Sequence, residues 1–515
     1  MTRCVLLPLA ALCAIACKSG SSSPAAPDDA GADATPEAPP DGTLPQHPKT
    51  LPFAYTRPEK GAPIAQADID AKTDELLDLL TKTRYFGFVE SRVHGWPESD
   101  PDKHFWYGTW WSGVDVRALG GKVTYFHGPQ GSDNDGISTS PVLEGACFAH
   151  LLWPGARIEH LERKLVRGFA SWILAMQRRP DDPDTLLTRA AYPAAIASAD
   201  GATPFLIDYS QNHPGTDNGA TEYVHVPQNP SWGDIWVKNK RSKDDIGHMF
   251  RAIAQIDACD GTFTEDGAQA DLVTLRRLYQ AWARRVEDDG WTIATLDKSG
   301  QLWLPPDELA HFISFGTIPV ECAGQLALRL FGRLGPGTLD CGNGISSLDQ
   351  AASDLGHSNG QILRSFHEAA AGHALLANDV ALAQALIAGL AQRLDDMLGA
   401  IDSGKPPAFL STTDAADLIL HAANAGVPLT WREVAYLHQQ IDLAHQTYLA
   451  AANDVVYKVF DPSTPDGTYA YQPGGDGLDF RSLGALLGTC ASQWRNPASK
   501  TVLNCDKVKA YAPVF

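Results

Sequence analysis

The chain has 515 residues, a hydrophobic fraction of 44% and a formal net charge of −20 at pH 7. Acidic residues are spread along it and no large basic cluster occurs, which argues against nucleic acid and anionic lipid as partners. The length suits one large domain or two to three ordinary ones. No cofactor is expected, because no nucleophile-elbow, Walker or dinucleotide glycine motif stands where a strand would precede it.

Residues 1–17 predict an export signal. Arg3 precedes an apolar run over residues 5–15 that is too short for a transmembrane helix, and small residues precede Cys17. This order is similar to the bacterial lipobox, after which the cysteine is freed by cleavage and diacylated. The alternative is an ordinary signal peptide cut near Ala16 or Cys17. We therefore expect a lipid-anchored protein of the bacterial cell envelope that meets the membrane through its anchor only.

Residues 18–50 are built from Ser, Pro, Ala, Gly and Asp, with almost no large apolar side chain. Such a segment cannot bury enough surface to offset the entropy lost on ordering, so it predicts a disordered tether. No comparable break interrupts residues 51–515. We interpret that stretch as a single large domain.

Six cysteines remain beyond the signal, an even number that is compatible with three disulfides in an exported chain. Loop length favours the pairs Cys490–Cys505 and Cys322–Cys341, which leaves Cys147–Cys259. The close spacing of a zinc knuckle is missing, so a thiolate metal site is not expected.

The first predicted helix begins near residue 65, where Ile69, Leu76 and Leu80 fall on one stripe. Farther along, "KVTYFHG" predicts a short strand. Two helix-like runs then follow, "PVLEGACFAHLLW" and "ARIEHLERKLVRGFASWILAMQRR", separated by Pro154 and Gly155.

Apolar spacing of three and four recurs to the end of the chain and predicts about a dozen helices with very little strand. A solenoid would show a sequence repeat of about 34 to 47 residues, and no such repeat is visible. A compact bundle of this size would need a very thick core. A ring of helix hairpins fits better, with small-residue inner helices and charged outer ones. The charges that mark the second helix-like run as an outer helix are Arg157, Glu159, Glu162, Arg163 and Lys164.

Two stretches carry a family resemblance. The stretch "STSPVLEGACFAHLLWPGARIEHLERKLVRGFASWILAMQ" resembles the helix hairpins of (α/α) toroid proteins, and "RSKDDIGHMFRAIAQI" is similar to their inner-helix openings. As a pattern, the resemblance covers most of residues 65–500. It implies an all-α fold, an (α/α) toroid with long aromatic-rich loops, and a carbohydrate polymer as substrate. Glycoside hydrolases and polysaccharide lyases are built on this plan.

The stretch "RSKDDIGHMF" holds the first candidate catalytic residues. In a helix that starts near residue 242, Asp244 and Asp245 lie four and three positions before His248, so carboxylate and imidazole share one face. Gly247 removes bulk beside them. The alternative is a charged helix start, because carboxylates in a first turn are favoured by the helix dipole.

Glu144 is the second candidate carboxyl, since hydrolysis of a glycosidic bond usually requires two. Its apolar neighbours in "PVLEGAC" predict a raised pKa. A lyase would instead use a histidine or tyrosine base and a cation to neutralise a uronate. Tyr223, His225 and His248 are candidates for the base, and Arg241 for the cation. We also expect Tyr223, His225 and Arg241 to bind substrate.

An aromatic-rich stretch over residues 85–111 includes Trp106, Trp110 and Trp111. Flat rings match the apolar C–H faces of sugars, so these tryptophans are candidate substrate-binding residues. Alternatively, the rings fill the core at one end of the ring of helices. No metal site is expected, because His367 and His373 are six apart rather than four. The rival function is a non-catalytic scaffold that binds a glycan or a protein.

Overall fold

A computed structural model describes residues 50–92, 114–119, 122–127, 135–189, 191–193, 195–196, 205–206, 216–217, 220–221, 223–239, 248–249, 251–252, 254, 268–289, 293–297, 299–304, 367, 371–372, 374–376, 378–404, 412–451, 478, 482–492 and 494–515. All of them belong to one compact unit, Ala38–Phe515. The predicted signal with Cys17 and nearly all of the tether lie outside these residues. None of the helices described is long and apolar enough to cross a bilayer.

The protein is mostly helical. Its described helices are α1 (Gln66–Lys82), α2 (Tyr85–Arg92), α3 (Asp135–Leu152), α4 (Ala156–Leu174), α5 (Ala268–Asp288), α6 (Val380–Asp402), α7 (Thr412–Asn424), α8 (Trp431–Ala451), α9 (Ser482–Leu486), α10 (Gly488–Ala491) and α11 (Cys505–Ala510). Residues 248–249 and 251–252 are helical as well. The predicted first helix is confirmed, and so is the helix pair broken at Pro154 and Gly155.

Strand content is small. The strands described are β1 (Val114–Leu119), β2 (Lys122–His127), β3 (Ala191–Pro193), β4 (Ala195–Ile196), β5 (Phe205–Leu206), β6 (Thr216–Asp217), β7 (Ala220–Thr221), β8 (Tyr223–Asn229), β9 (Gly233–Lys238), β10 (Thr295–Leu296) and β11 (Leu302–Trp303). They pair antiparallel, most of them in two-stranded ribbons, and β9 lies between β3 and β8 in a three-stranded sheet. β2 confirms the strand predicted at "KVTYFHG".

Side-chain caps fix where several helices begin. Asp379 precedes α6 and accepts a hydrogen bond from the Leu382 amide at 3.2 Å. In the first turn of α8, the Glu433 carboxylate accepts from the amide of Thr430, the residue before the helix, at 2.6 Å. Asn504 accepts from two amides of α11. These bonds satisfy amides that a helix start would otherwise leave without partners.

Helices that follow one another in the chain pack together. α3 contacts α4, α6 contacts α7, and α7 contacts α8, while α9 packs on both α3 and α7. α1, from the start of the domain, packs against α8. Sequential pairing is the pattern that a ring of helix hairpins requires. The closed toroid itself remains a proposal.

The charges on which we based the interpretation of α4 as an outer helix do not all lie at the surface. Glu159, Glu162 and Lys164 are buried, whereas Arg157 is exposed. The reason is that α3 covers one side of α4 and α5 covers another. Buried charges on α4 therefore need partners from neighbouring helices, and a charged helix in this chain is not necessarily an outer one.

The C-terminal segment is tied down by a covalent bond. Cys490 and Cys505 form a disulfide, as loop length predicted, with a Cα–Cα distance of 5.3 Å. Cys147, buried in α3, is also disulfide-bonded. Cys259, Cys322 and Cys341 lie outside the described residues, so their pairings remain predictions.

Candidate functional site

A close crossing of α3 and α9 sets the backbone of the candidate site. A Cβ built on Gly145 would lie 2.6 Å from the Cα of Gly484, and a Cβ built on Gly484 would lie equally close to Gly145. Real side chains do not approach backbone this closely, so the two helices meet here only because both residues are glycine. Glu144, the residue before Gly145, is thereby fixed deep in the body.

Three segments that are far apart in the sequence meet at Glu144. The Nε of Arg251 donates a hydrogen bond of 2.9 Å to its Oε1. The Nδ1 of His421, on α7, lies 2.9 Å from its Oε2, which is ion-pair distance. All three side chains are nearly inaccessible, at 3%, 5% and 3% exposure for Glu144, Arg251 and His421. A carboxylate, a guanidinium and an imidazole thus form one buried cluster, the Glu144 cluster.

The predicted rise in the pKa of Glu144 is wrong. Burial does raise the pKa, but the positive charge of Arg251 and the ring of His421 act in the other direction and outweigh it, so that the pKa lies below its ordinary value of 4.5. Glu144 is therefore ionised near neutral pH. An ionised carboxylate suits a base or a positioning group and does not suit a general acid.

The sequence interpretation missed His421 and Arg251. His421 lies on a polar stripe of α7 with Asp417 four residues before it and Asn424 three after it. Asp417 binds the hydroxyl of Ser482 on α9, and the Asn424 amide donates to the Ala485 carbonyl at 3.2 Å. Polar residues at helical spacing within the apolar "AADLILHAANAG" were the signal that was available.

The Nε2 of His421 is the free end of the cluster. It is buried, and within the part of the chain that the structure describes it has no hydrogen-bond partner. Burying a ring nitrogen without a hydrogen-bond partner costs roughly 1–3 kcal/mol, because its hydrogen bond to water is lost. Such an atom marks a place where a proton or a ligand group can bind.

His248, a predicted catalytic residue, lies close to this cluster through its backbone. Its carbonyl accepts a 2.7 Å hydrogen bond from the hydroxyl of Ser140, which stands one turn before Glu144 on α3. Its side chain is buried. The other predicted residues of this stretch, Arg241, Asp244 and Asp245, lie outside the described residues.

The candidate substrate-binding residues have different surroundings. Tyr223 is buried, with the Lys238 ammonium 5.4 Å from its ring centre. His225 is exposed and its ring stacks on Trp236. Trp106, Trp110 and Trp111 fall outside the described residues. Earlier rings of the same aromatic stretch, Tyr85 and Phe86, are buried in the core, as the alternative interpretation expected for some of them.

A second buried acid, Glu162 on α4, has different surroundings. Its Oε2 lies 2.6 Å from the Nδ1 of His150, and its Oε1 has no partner among the described residues. Burial raises the pKa of Glu162, and His150 only partly opposes that rise. The structure therefore holds one buried glutamate with a lowered pKa and one with a raised pKa.

No family model, no curated protein and no solved structure matches the chain. Within the described ranges, no group of three or more His, Cys, Asp or Glu side chains is arranged to hold a metal ion. The protein is mostly helical and contains the buried Glu144 cluster. Its function is inferred from that cluster and from the sequence.

Proposed function

We propose that the protein is an exported, lipid-anchored member of the carbohydrate-active proteins, with an (α/α) toroid body that binds and cleaves a carbohydrate polymer. The Glu144 cluster is the observation that carries the proposal. It brings a carboxylate, a cation and an imidazole together from three distant segments. An imidazole can act as a general base in hydrolysis or elimination of a sugar chain, and the general acid would come from outside the cluster.

In this proposal the ionised Glu144, itself paired with Arg251, orients the imidazole of His421, and the Nε2 of that ring moves the proton. In hydrolysis, Nε2 accepts the proton of the attacking water, and Asp244 or Asp245 serves as the general acid. In elimination, Nε2 accepts the proton on the carbon next to a uronate carboxylate, and Arg241 neutralises that carboxylate. The C4–O glycosidic bond breaks as the C4–C5 double bond forms, and the leaving oxygen takes a proton from water. The roles of Asp244, Asp245 and Arg241 rest on the sequence alone.

A non-catalytic glycan-binding scaffold is the second candidate function. The observation that favours it is the near-complete burial of Glu144, Arg251 and His421, because a structural charge cluster would be buried in the same way. Binding to a polymer without any turnover would select this alternative.

The test is a screen of purified residues 51–515 against soluble polysaccharides and peptidoglycan. New reducing ends without ultraviolet absorbance identify hydrolysis, while absorbance from unsaturated uronate identifies elimination. The proposal predicts one of the two signals with at least one polymer. Binding without either signal contradicts cleavage, and absence of both binding and cleavage contradicts the carbohydrate assignment.

A further inference from the structure

The sheet formed by β3, β9 and β8 has two unlike faces. On one face, Val224, Val226, Ile235 and Val237 are buried in the core. On the other, His225 and Trp236 stand opposite each other in the register of β8 and β9. β8 is the outer strand in the order β3-β9-β8, so His225 lies at the edge of the sheet.

The His225 ring is held in one orientation from two sides. Its ring centre lies 4.7 Å from that of Trp236, with 19° between the planes, which is a stacked arrangement. Its Nε2 bonds the carboxylate of Asp234, two residues before Trp236 on β9. A side chain that is already fixed loses little conformational freedom when a ligand binds.

The same group is open to solvent. The side chain of His225 is 42% exposed and that of Asp234 is 56% exposed. A flat ring backed by a tryptophan matches the apolar C–H face of a pyranose, and an adjacent carboxylate accepts hydrogen bonds from sugar hydroxyls. Neither a bare apolar patch nor an ordinary surface ion pair offers both features.

We propose that His225, Trp236 and Asp234 form a binding subsite for an uncharged pyranose unit of the polymer. This inference rests on the proposed function, adds the class of sugar, and favours hydrolysis over elimination, because elimination requires a uronate. The charge of Asp234 and the net charge of −20 repel a polyanion, so a neutral glycan is favoured over a polyuronate.

The experiment is affinity electrophoresis of residues 51–515 in gels that contain hydroxyethyl cellulose, xylan, glucomannan or glycogen, with polygalacturonate as the charged comparison. Wild type is expected to be retarded by at least one neutral polymer. His225→Ala and Trp236→Ala are each expected to weaken that affinity about tenfold, because the stacking surface or its support is removed.

The matched control is His445→Ala. His445 also pairs with an aspartate at the surface, with 2.9 Å between its Nε2 and Asp78, and it is not stacked on a ring within the described residues. This variant is expected to bind as wild type does. Circular dichroism and thermal unfolding of each variant verify that the fold is intact.

Three results would overturn the subsite while leaving the proposed function standing. These are unchanged binding by both folded variants, retardation of wild type only by polygalacturonate, and turnover of a polymer without any retardation. If wild type shows neither retardation nor turnover, the proposed function fails together with the subsite.

Discussion

At the level of single residues, two glutamates buried in neighbouring helices show how partners decide the charge state. The pKa of Glu144 is lowered beside Arg251 and His421, whereas burial dominates at Glu162 and raises its pKa. Ionised Glu144 therefore stabilises the fold above its unfolded pKa, and this stability is lost as the pH falls through its folded pKa. The contribution of Glu162 to stability has the opposite pH dependence. It is present at low pH and declines as the pH rises through the folded pKa of Glu162.

The substitution Glu144→Gln is expected to lower the free energy of unfolding by about 3 kcal/mol at pH 7, since it leaves Arg251 buried without a balancing charge. The difference in stability should shrink as the pH falls below 4.5, because protonation of Glu144 then destabilises the wild type as well. Urea unfolding of both proteins over a pH series measures the difference.

Glu162→Gln is the matched control, because a neutral amide resembles the protonated acid that burial favours at this position. Its effect on the free energy of unfolding at pH 7 should be smaller than that of Glu144→Gln. Equal, large losses for the two variants would contradict the opposite directions assigned to the pKa shifts of Glu144 and Glu162.

At the level of elements, the contact between α3 and α9 depends on the absence of two side chains. Gly145→Ala is expected to destabilise the protein by about 1–3 kcal/mol, because the new methyl group would push against the backbone of Gly484. Thermal unfolding reports the change.

Gly399→Ala provides the comparison for that variant. Gly399 lies within α6, and an added Cβ would meet nothing within 4 Å. Alanine is the better helix former, so this substitution should stabilise the protein by up to about 1 kcal/mol. Stabilisation by both variants would contradict the close crossing.

The disulfide that joins α10 to the start of α11 closes a loop between residues 15 apart. Replacing Cys490 and Cys505 together by serine should lower the free energy of unfolding by about 3 kcal/mol, the amount expected for a loop of this length. Urea unfolding without reductant measures it and leaves the bond at Cys147 intact. A change below experimental error would mean that the bond does not restrict the unfolded chain.

Local patterns predicted local structure well. Apolar spacing predicted α1 and the pair of α3 and α4, and loop length predicted the Cys490–Cys505 bond, because each depends on residues near in sequence. The surroundings of Glu144 were not predictable in this way, since Arg251 lies 107 residues away and reaches it only through the fold. The buried charges of α4 were misjudged for the same reason. The sequence around a charged residue does not show whether a residue far away in the chain will pack against it and bury it.

At the level of the whole molecule, both ends of the domain close onto the helices between them. Arg57 pairs with Asp395 of α6 and Glu433 of α8, at 2.7 and 3.0 Å. Near the other end, the Trp153 indole donates to the Val508 carbonyl at 2.9 Å. These contacts join the first and last described segments of the domain to helices in its middle.

The most direct test of the proposed function compares wild type with His421→Gln on the polymer that the screen identifies. If the free Nε2 moves the proton, the variant should keep its fold and its polymer binding while kcat falls by at least about a hundredfold. Initial rates over a pH series, with thermal unfolding as the check on the fold, provide this measurement. Full activity in a folded His421→Gln protein would contradict the assignment of the Glu144 cluster as the catalytic centre.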